Sequence, residues 1–408
     1  MHQLGQDTVL SGIKRLIEQA QGFKPNVAML ADRVASVFVA ILLVLVVIAG
    51  FYWWQVDPTR VLQVLVATLV VTCPCALSLA TPASLSAAIG ALTRDGMLVA
   101  KSRALEVMPQ IDTVIFDKTG TLTTGVLTLQ KQIDFAEFTA DKHRQIAHSL
   151  ELHSEHPVGR ALVNDDIETL SVSKMQNVTG KGVQGFIDGE TYFIGNAGFI
   201  SEVAEIPGNQ PFEDNVQVVY LARKGQWLAS FSFTDPLKQD ARQTVDQMRQ
   251  RGIDVRILSG DRKSYVKSIA DQLGILHFDA EQLPDDKLQK VKQLQAKGHK
   301  VAMVGDGIND APVLAAADLS ISLSVGTDLA RAASDLIING GHLTPILDSI
   351  KITTKMMRII RQNFGWAIAY NIVAVPFSMA GLVQPWLAAI GMSLSSLIVV
   401  LNALRLRL

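Results

Sequence analysis

The sequence predicts a multi-domain membrane protein, in which transmembrane α-helices carry a cytoplasmic α/β unit with a doubly wound parallel sheet, and a smaller α+β domain is inserted into that unit. Three observations lead there. The 408 residues are 49 % hydrophobic with a positive mean hydropathy, more apolar than a water-soluble chain of this length needs. The apolar residues gather in long runs near both ends. The polar stretch between these runs alternates short β-branched segments with helical ones.

Residues 1–33 form a polar, helix-like lead, so no cleavable signal peptide is expected and the N-terminus stays in the cytoplasm. The first span covers 34–56, has no charged residue and ends in Tyr52-Trp53-Trp54, an interfacial aromatic belt. A second, 61–93, is broken by Cys73-Pro74-Cys75 and again by Pro82. A third covers 364–382 and a fourth 386–404, joined by the tight link Val383-Gln384-Pro385. Lys24 and Arg33, Arg94, Lys101 and Arg103, Lys351, Lys355, Arg358 and Arg361, and Arg405 and Arg407 flank the spans on one side, which is therefore cytoplasmic. The stretch from Asp95 to Arg361 then becomes one cytoplasmic insertion.

Within it, Thr113–Phe116, Val255–Leu258, Lys300–Val304 and Leu319–Leu323 read as strands, alternating with helices such as Gln239–Arg251 and Lys263–Leu273. The first three end in Asp117, in Ser259-Gly260-Asp261 and in Gly305-Asp306-Gly307, so the chemistry is expected at the carboxyl ends of the strands. From 126 to 231 the pattern changes to a helix pair, short strands and Gly-rich turns, which marks the inserted domain; 95–125 and 232–345 make up its host. Lys plus Arg number 37 against 38 Asp plus Glu, so no basic field for nucleic acid exists. The only two cysteines are Cys73 and Cys75; a disulfide at that spacing is strained, and thiolate ligation of a soft metal is the better reading.

Asp117 opens Asp117-Lys118-Thr119-Gly120-Thr121. A carboxylate at the end of a buried strand before a Gly-containing loop can attack a phosphoryl group held by backbone N–H groups. Such a transfer needs Mg²⁺, a lysine and a hydroxyl. Asp306 and Asp310, with Asp117 and Thr119, supply the magnesium oxygens, Lys287 the cation and Ser259 the hydroxyl.

On these residues the chain resembles the haloacid-dehalogenase-like phosphotransfer fold and, within it, the heavy-metal-transporting (type IB) P-type ATPases, whose sequence Asp-Lys-Thr-Gly-Thr stands at 117–121. Hydrolytic members of the fold have a second Asp where this chain has Thr119, so the resemblance implies a long-lived aspartyl phosphate on Asp117, with Lys118 and Thr119 beside it. Glu151, Ser154-Glu155-His156-Pro157, Gly180-Lys181-Gly182 and Gly195-Asn196 match that subgroup's nucleotide domain. Asp235-Pro236 and Gly260-Asp261 return the chain to the phosphorylation domain. The resemblance thus implies ATP held by Glu151, His156, Gly180, Gly182, Asn196, Asp235, Gly260 and Asp261. Physically, an imidazole and a carboxylate can recognise adenine, and glycines let the backbone approach phosphates.

No span contains Asp, Glu, Lys or His at depth, which leaves two thiolates and a thioether without a carboxylate to balance a divalent ion and favours Cu(I), with Ag(I) accepted too. The resemblance adds Tyr370, Asn371, Met392 and Ser396 to Cys73 and Cys75 as copper ligands, through Tyr-Asn and Met392-Ser393-Leu394-Ser395-Ser396. It implies copper(I) translocation out of the cytoplasm by an integral, multi-pass membrane protein, of the inner (plasma) membrane if the source is bacterial, with a copper chaperone or other Cu(I) donor as partner. The lead resembles the exit from an actuator domain. Most of that domain and the first transmembrane helices are absent from the sequence, so the chain reads as the C-terminal part of a pump whose missing N-terminal portion is a partner. Two other readings stand beside this one: a membrane-tethered phosphatase using Asp117, Lys287 and Asp306, and a non-catalytic copper-binding membrane remnant.

Overall fold

The computed structural model describes residues 26–72, 75–135, 139–154, 156–178, 180–206, 217–306, 310–323 and 334–406; Cys73 and most of the lead lie outside them. The chain forms two compact units: Met1–Ile115, Arg242–Arg256 and Pro284–Leu408 make the first, Phe116–Ala241 and Ile257–Leu283 the second.

The first unit starts with helix α1 (Asn26–Val56), α2 (Val61–Val71) and α3 (Cys75–Arg94). Pro82 lies inside α3 without ending it, against the expected second break. Only one ladder donor is lost at a proline, and the helix continues from both sides. After Gly96 come strand β1 (Met97–Val99), the short helix α4 (Ala104–Val107) and strand β2 (Thr113–Phe116), all of whose residues are buried.

The second unit continues with β3 (Thr128–Asp134), the helix pair α5 (Ala140–Glu151) and α6 (Pro157–Leu162), and β4 (Ser173–Val178), β5 (Gly182–Ile187) and β6 (Glu190–Gly195). Helix α7 (Ala197–Val203) precedes β7 (Gln217–Arg223) and β8 (Gln226–Thr234). The six strands form an antiparallel sheet in the order β3-β8-β7-β6-β5-β4. In β5 burial alternates along the strand, as a sheet with one covered face requires. Ile146 and Leu150 of α5 and Leu162 of α6 cover that face, packing on Val183, Ile194, Phe231 and Phe233.

The chain then runs through α8 (Ala241–Gln250), β9 (Asp254–Leu258), α9 (Lys263–Leu273), β10 (His277–Asp279), α10 (Pro284–Ala296), β11 (Val301–Gly305), α11 (Ala311–Ala316), β12 (Leu319–Leu323) and β13 (Leu336–Ile338). Seven strands make a sheet in the order β1-β13-β12-β11-β2-β9-β10. β11, β12 and β13 pair in parallel, while β1, which the sequence pattern did not reveal, closes the edge antiparallel to β13. Three residues are too short a run to carry a periodicity.

Helices α12 (Thr344–Met379) and α13 (Pro385–Leu404) complete the first unit. Among the described residues three segments are long and apolar enough to cross a membrane: Val39–Val56, Val61–Arg94 and Pro385–Leu404. The expected span at 364–382 falls in α12, which is continuous from Thr344 and less apolar because Asn363 and Asn371 interrupt it. Both asparagines are buried, and Asn363 donates to the Val399 carbonyl of α13 at 3.3 Å. Small residues let the helices approach, as Ala76, Ala80 and Ala367 pack together. Thr68 and Ser378 share a hydrogen bond of 2.9 Å, and the Trp53 indole donates to the Met379 carbonyl. Ile41, Val47, Ile372 and Leu394 point outward, as lipid contact requires.

Candidate functional site

Asp117, which follows the buried strand β2 directly and is 8 % exposed, opens a loop of the second unit that turns at Gly120 with φ +70°. Lys118 forms an ion pair with Asp261, and the Thr119 hydroxyl donates to the same carboxylate at 3.4 Å. Asp235 accepts from the Thr123 and Thr124 hydroxyls at 2.6 and 3.2 Å and from the Gly125 N–H at 2.8 Å. The structure therefore engages Asp235 and Asp261, expected at the nucleotide, in shaping the loop around Asp117. Ser259 is buried and its hydroxyl accepts from the Asp261 N–H at 3.2 Å; Gly260 between them is exposed. Burial pulls the Lys238 ammonium below the usual lysine range, opposed by Asp240 and Asp235.

In the first unit Lys287, on α10, reaches Asp310 at 2.9 Å, with side chains 8 % and 3 % exposed. The cation expected at a phosphate and a carboxylate expected at magnesium thus satisfy each other. Asp306 follows β11 directly and is half-buried.

The nucleotide residues occupy two places in the second unit. Glu151 ends α5 and is buried, which pushes its carboxyl above the usual range, opposed by the Ser154 hydroxyl and the nearby His156. His156 is exposed and caps α6, its Nδ1 accepting from the Val158 N–H at 3.3 Å. Gly159, which the motif reading passed over, is dictated by this corner: a Cβ there would lie 2.3 Å from a Glu151 oxygen and 2.4 Å from Ser154 Oγ. At the other place Gly182 and Gly195 face each other across β5 and β6, and a Cβ on Gly182 would lie 2.3 Å from the Ile194 carbonyl oxygen. Gly180 turns at φ +73° with open space around it. The Asn196 Oδ1 caps α7 by accepting from the Phe199 N–H at 2.8 Å, and its amide donates to the Gly180 carbonyl at 3.4 Å. Two glycines thus serve strand packing, Gly180 turns beside open space, and Asn196 holds that turn. Sequence reading also missed His143, buried on α5 with Nδ1 2.6 Å from Asp134.

At the membrane helices Cys75 Sγ, at the start of α3, lies 3.9 Å from Met392 Sδ on α13. The Tyr370 hydroxyl stands over Gly391, 2.9 Å from where a Cβ would sit, so it reaches the level of Met392. Asn371, one residue further, is 7 % exposed; its amide donates to the Ala367 carbonyl, and its Oδ1 has no hydrogen-bond partner among the described residues. Ser396 is half-buried one turn beyond Met392, while the neighbouring Ser395 accepts from the Trp366 indole. Cys75 can hold a soft ion only as a free thiolate, so ligation concerns the reduced chain. Cys73 lies outside the described residues. A half-buried sulfur pair fits a soft cation.

Residues 111–318 match the haloacid dehalogenase-like hydrolase family. The chain is 37 % identical to the nitrogen fixation protein FixI of Rhizobium leguminosarum over 99 % of its own length and 53 % of that protein's. It is 36 % identical to the probable copper-transporting ATPase PacS of Synechocystis, over 99 % and 58 %. The chain spans about half the length of these relatives. Among solved structures it is similar to a zinc-transporting PIB-type ATPase in its E2.Pi state, with a TM-score of 0.79 and 26 % identity, covering 100 % of this chain and 68 % of that one.

Proposed function

Because this chain belongs to the haloacid dehalogenase-like hydrolases and, within them, to the P-type ATPases, we propose that it works in ATP-driven translocation of copper(I) out of the cytoplasm through an aspartyl phosphate on Asp117. The observation that carries the choice of ion is the approach of Cys75 Sγ to Met392 Sδ, with the Tyr370 hydroxyl at the same level. Zinc, the ion named for the similar solved structure, is held by thiolate together with imidazole or carboxylate, and the sequence of the spans has no His, Asp or Glu at depth.

The second unit supplies the nucleophile: an Asp117 carboxylate oxygen attacks the γ-phosphorus of ATP, the bond to the β,γ-bridging oxygen breaks and ADP leaves, while the Lys118–Asp261 pair and the Asp235 clamp hold the loop in one shape. Glu151 and His156 are the residues for the adenine, and the open turn at Gly180 those for the phosphates. Mg²⁺ suits the oxygen donors of Asp117, Thr119, Asp306 and Asp310, and when bound it neutralises charge on the transferring group. Lys287, released from Asp310, would add its charge to the phosphoryl oxygens, and Ser259 its hydroxyl. In this reading Cu(I) arrives from a cytoplasmic donor, and the membrane is the inner (plasma) membrane if the source is bacterial.

The test is acid-stable labelling of the reduced, membrane-embedded chain by γ-labelled ATP with Cu(I), with Zn²⁺ and with a Cu(I) chelator, beside Asp117→Asn. Label that needs both Cu(I) and Asp117 is expected. Equal labelling with Zn²⁺ would overturn the ion, and label surviving in Asp117→Asn would overturn the nucleophile.

A further inference from the structure

The end of α3 is stitched to the sheet by a set of bonds that neither the nucleotide nor the metal site requires. Gly96, at φ +83°, turns the chain out of the helix and its carbonyl accepts from the Asn339 N–H at 2.7 Å. β1 then pairs with β13, Met97 opposite Ile338 and Val99 opposite Leu336. Directly after β1 the N–H groups of Ala100 and Lys101 both donate to the Asp335 carbonyl, at 2.9 and 3.1 Å. The Asp335 carboxylate is wholly buried and receives the Arg103 guanidinium as a fork, Nε at 3.1 Å and Nη2 at 3.0 Å, with Lys101 Nζ at 3.3 Å. The same carboxylate accepts from the Ser320 N–H at 3.1 Å, and the Asp335 N–H donates to Ser320 Oγ at 2.9 Å. Ser320 sits in β12 opposite Met303 of β11, three residues before Asp306. An unbroken chain of bonds inside one unit therefore runs from the helix that begins at Cys75 to the strand that Asp306 follows.

We infer that the Arg103–Asp335 fork is the fastening through which a displacement of α3 on metal binding reaches β11, and that Arg103 and Asp335 are positioning residues coupling the metal site to phosphorylation. The inference rests on the metal-pump reading above. A three-residue strand paired on one side is a weak joint, because each of its ends frays. A planar fork on a buried carboxylate has one geometry and resists rotation, which a single flexible ammonium does not. The Arg103 side chain is 53 % exposed, and an ion pair open to water on one side adds little net stability, so the fork is better explained by the orientation it fixes than by the energy it adds.

The reduced chain in liposomes tests this with Ag(I), a Cu(I) surrogate that resists oxidation, by amide hydrogen exchange at Val301–Gly305 and Leu336–Ile338. In the parent chain Ag(I) is expected to change exchange in both strands. In the neutral pair Arg103→Gln with Asp335→Asn the change is expected to vanish while Ag(I) affinity stays the same. An undiminished change in the pair, or none in the parent chain, overturns the inference. Arg103→Lys keeps the charge and loses the fork; should the pair fail to insert, this variant decides, a severalfold smaller Ag(I) effect supporting the inference and an equal one overturning it. Labelling by γ-labelled ATP on the same samples separates the two readings. If the parent chain never labels but transmits the Ag(I) effect, ATP chemistry fails and the coupling stands. If it labels, the pair is expected to label equally with and without Cu(I).

Discussion

Replacing Gly182 by alanine tests the close approach of β5 and β6. The new Cβ would lie 2.3 Å from the Ile194 carbonyl oxygen, 2.6 Å from the Phe199 ring and 2.8 Å from Gly195 Cα, none of which is the free end of a flexible side chain. The strands must part by about 1 Å at the pair Gly182–Gly195. Overpacking of this kind costs about 1–3 kcal/mol, and one weakened ladder bond adds about 1 kcal/mol. A loss of about 2–4 kcal/mol raises the exchange rate of amides protected by opening of these strands by about 30- to 1,000-fold. Hydrogen exchange at Gly182–Ile187 and Glu190–Gly195 measures it. Gly180→Ala is the control: it strains a left-handed turn by about 1–2 kcal/mol, yet it touches nothing and lies outside both strands. It is expected to leave strand exchange unchanged and to weaken ATP binding, because its methyl group enters the space left for the ligand. Exchange in Gly182→Ala within threefold of the parent chain would refute the argument.

Lys287→Met leaves Asp310 as an unpaired buried charge and is expected to destabilise the chain by about 3–5 kcal/mol. Adding Asp310→Leu should restore most of that while acid-stable labelling stays lost; thermal unfolding and labelling of the same samples read the two effects. Met392→Leu keeps the volume and removes the thioether, so Cu(I) affinity of the reduced chain, measured by chelator competition, should fall more than about tenfold; a fall below threefold removes Met392 from the ligand set. Burial raises the Glu151 carboxyl above its unfolded value, so the folded chain holds this proton more tightly. That contribution is complete below the unfolded value of 4.5 and is lost as pH rises through the folded one. Glu151→Gln should therefore flatten the decline of second-unit stability just above pH 4.5, seen as exchange at α5; an unchanged slope would show that Glu151 does not cause it.

The sequence by itself determined the chemistry that depends on local order. Asp117 with its loop, Cys75 at a proline break, the apolar spans and the β-branched runs before Ser259 and Asp306 are contiguous patterns, and each has a physical reason to lie where it does. Apolar length sets a span and a strand end sets a nucleophile, so both can be read in a single window. Tertiary structure decided what depends on partners far along the chain. Asp235 and Asp261 look like ligands in the sequence, yet folding sets them against Thr123 and Lys118. Gly182 looks like a phosphate-binding glycine and Gly159 carries no motif, yet folding sets atoms of Ile194 and Glu151 against them. Asp335 carries no motif, and only the pairing of β1 with β13 brings Arg103 to it, because a buried charge must find its counter-ion wherever the fold puts one.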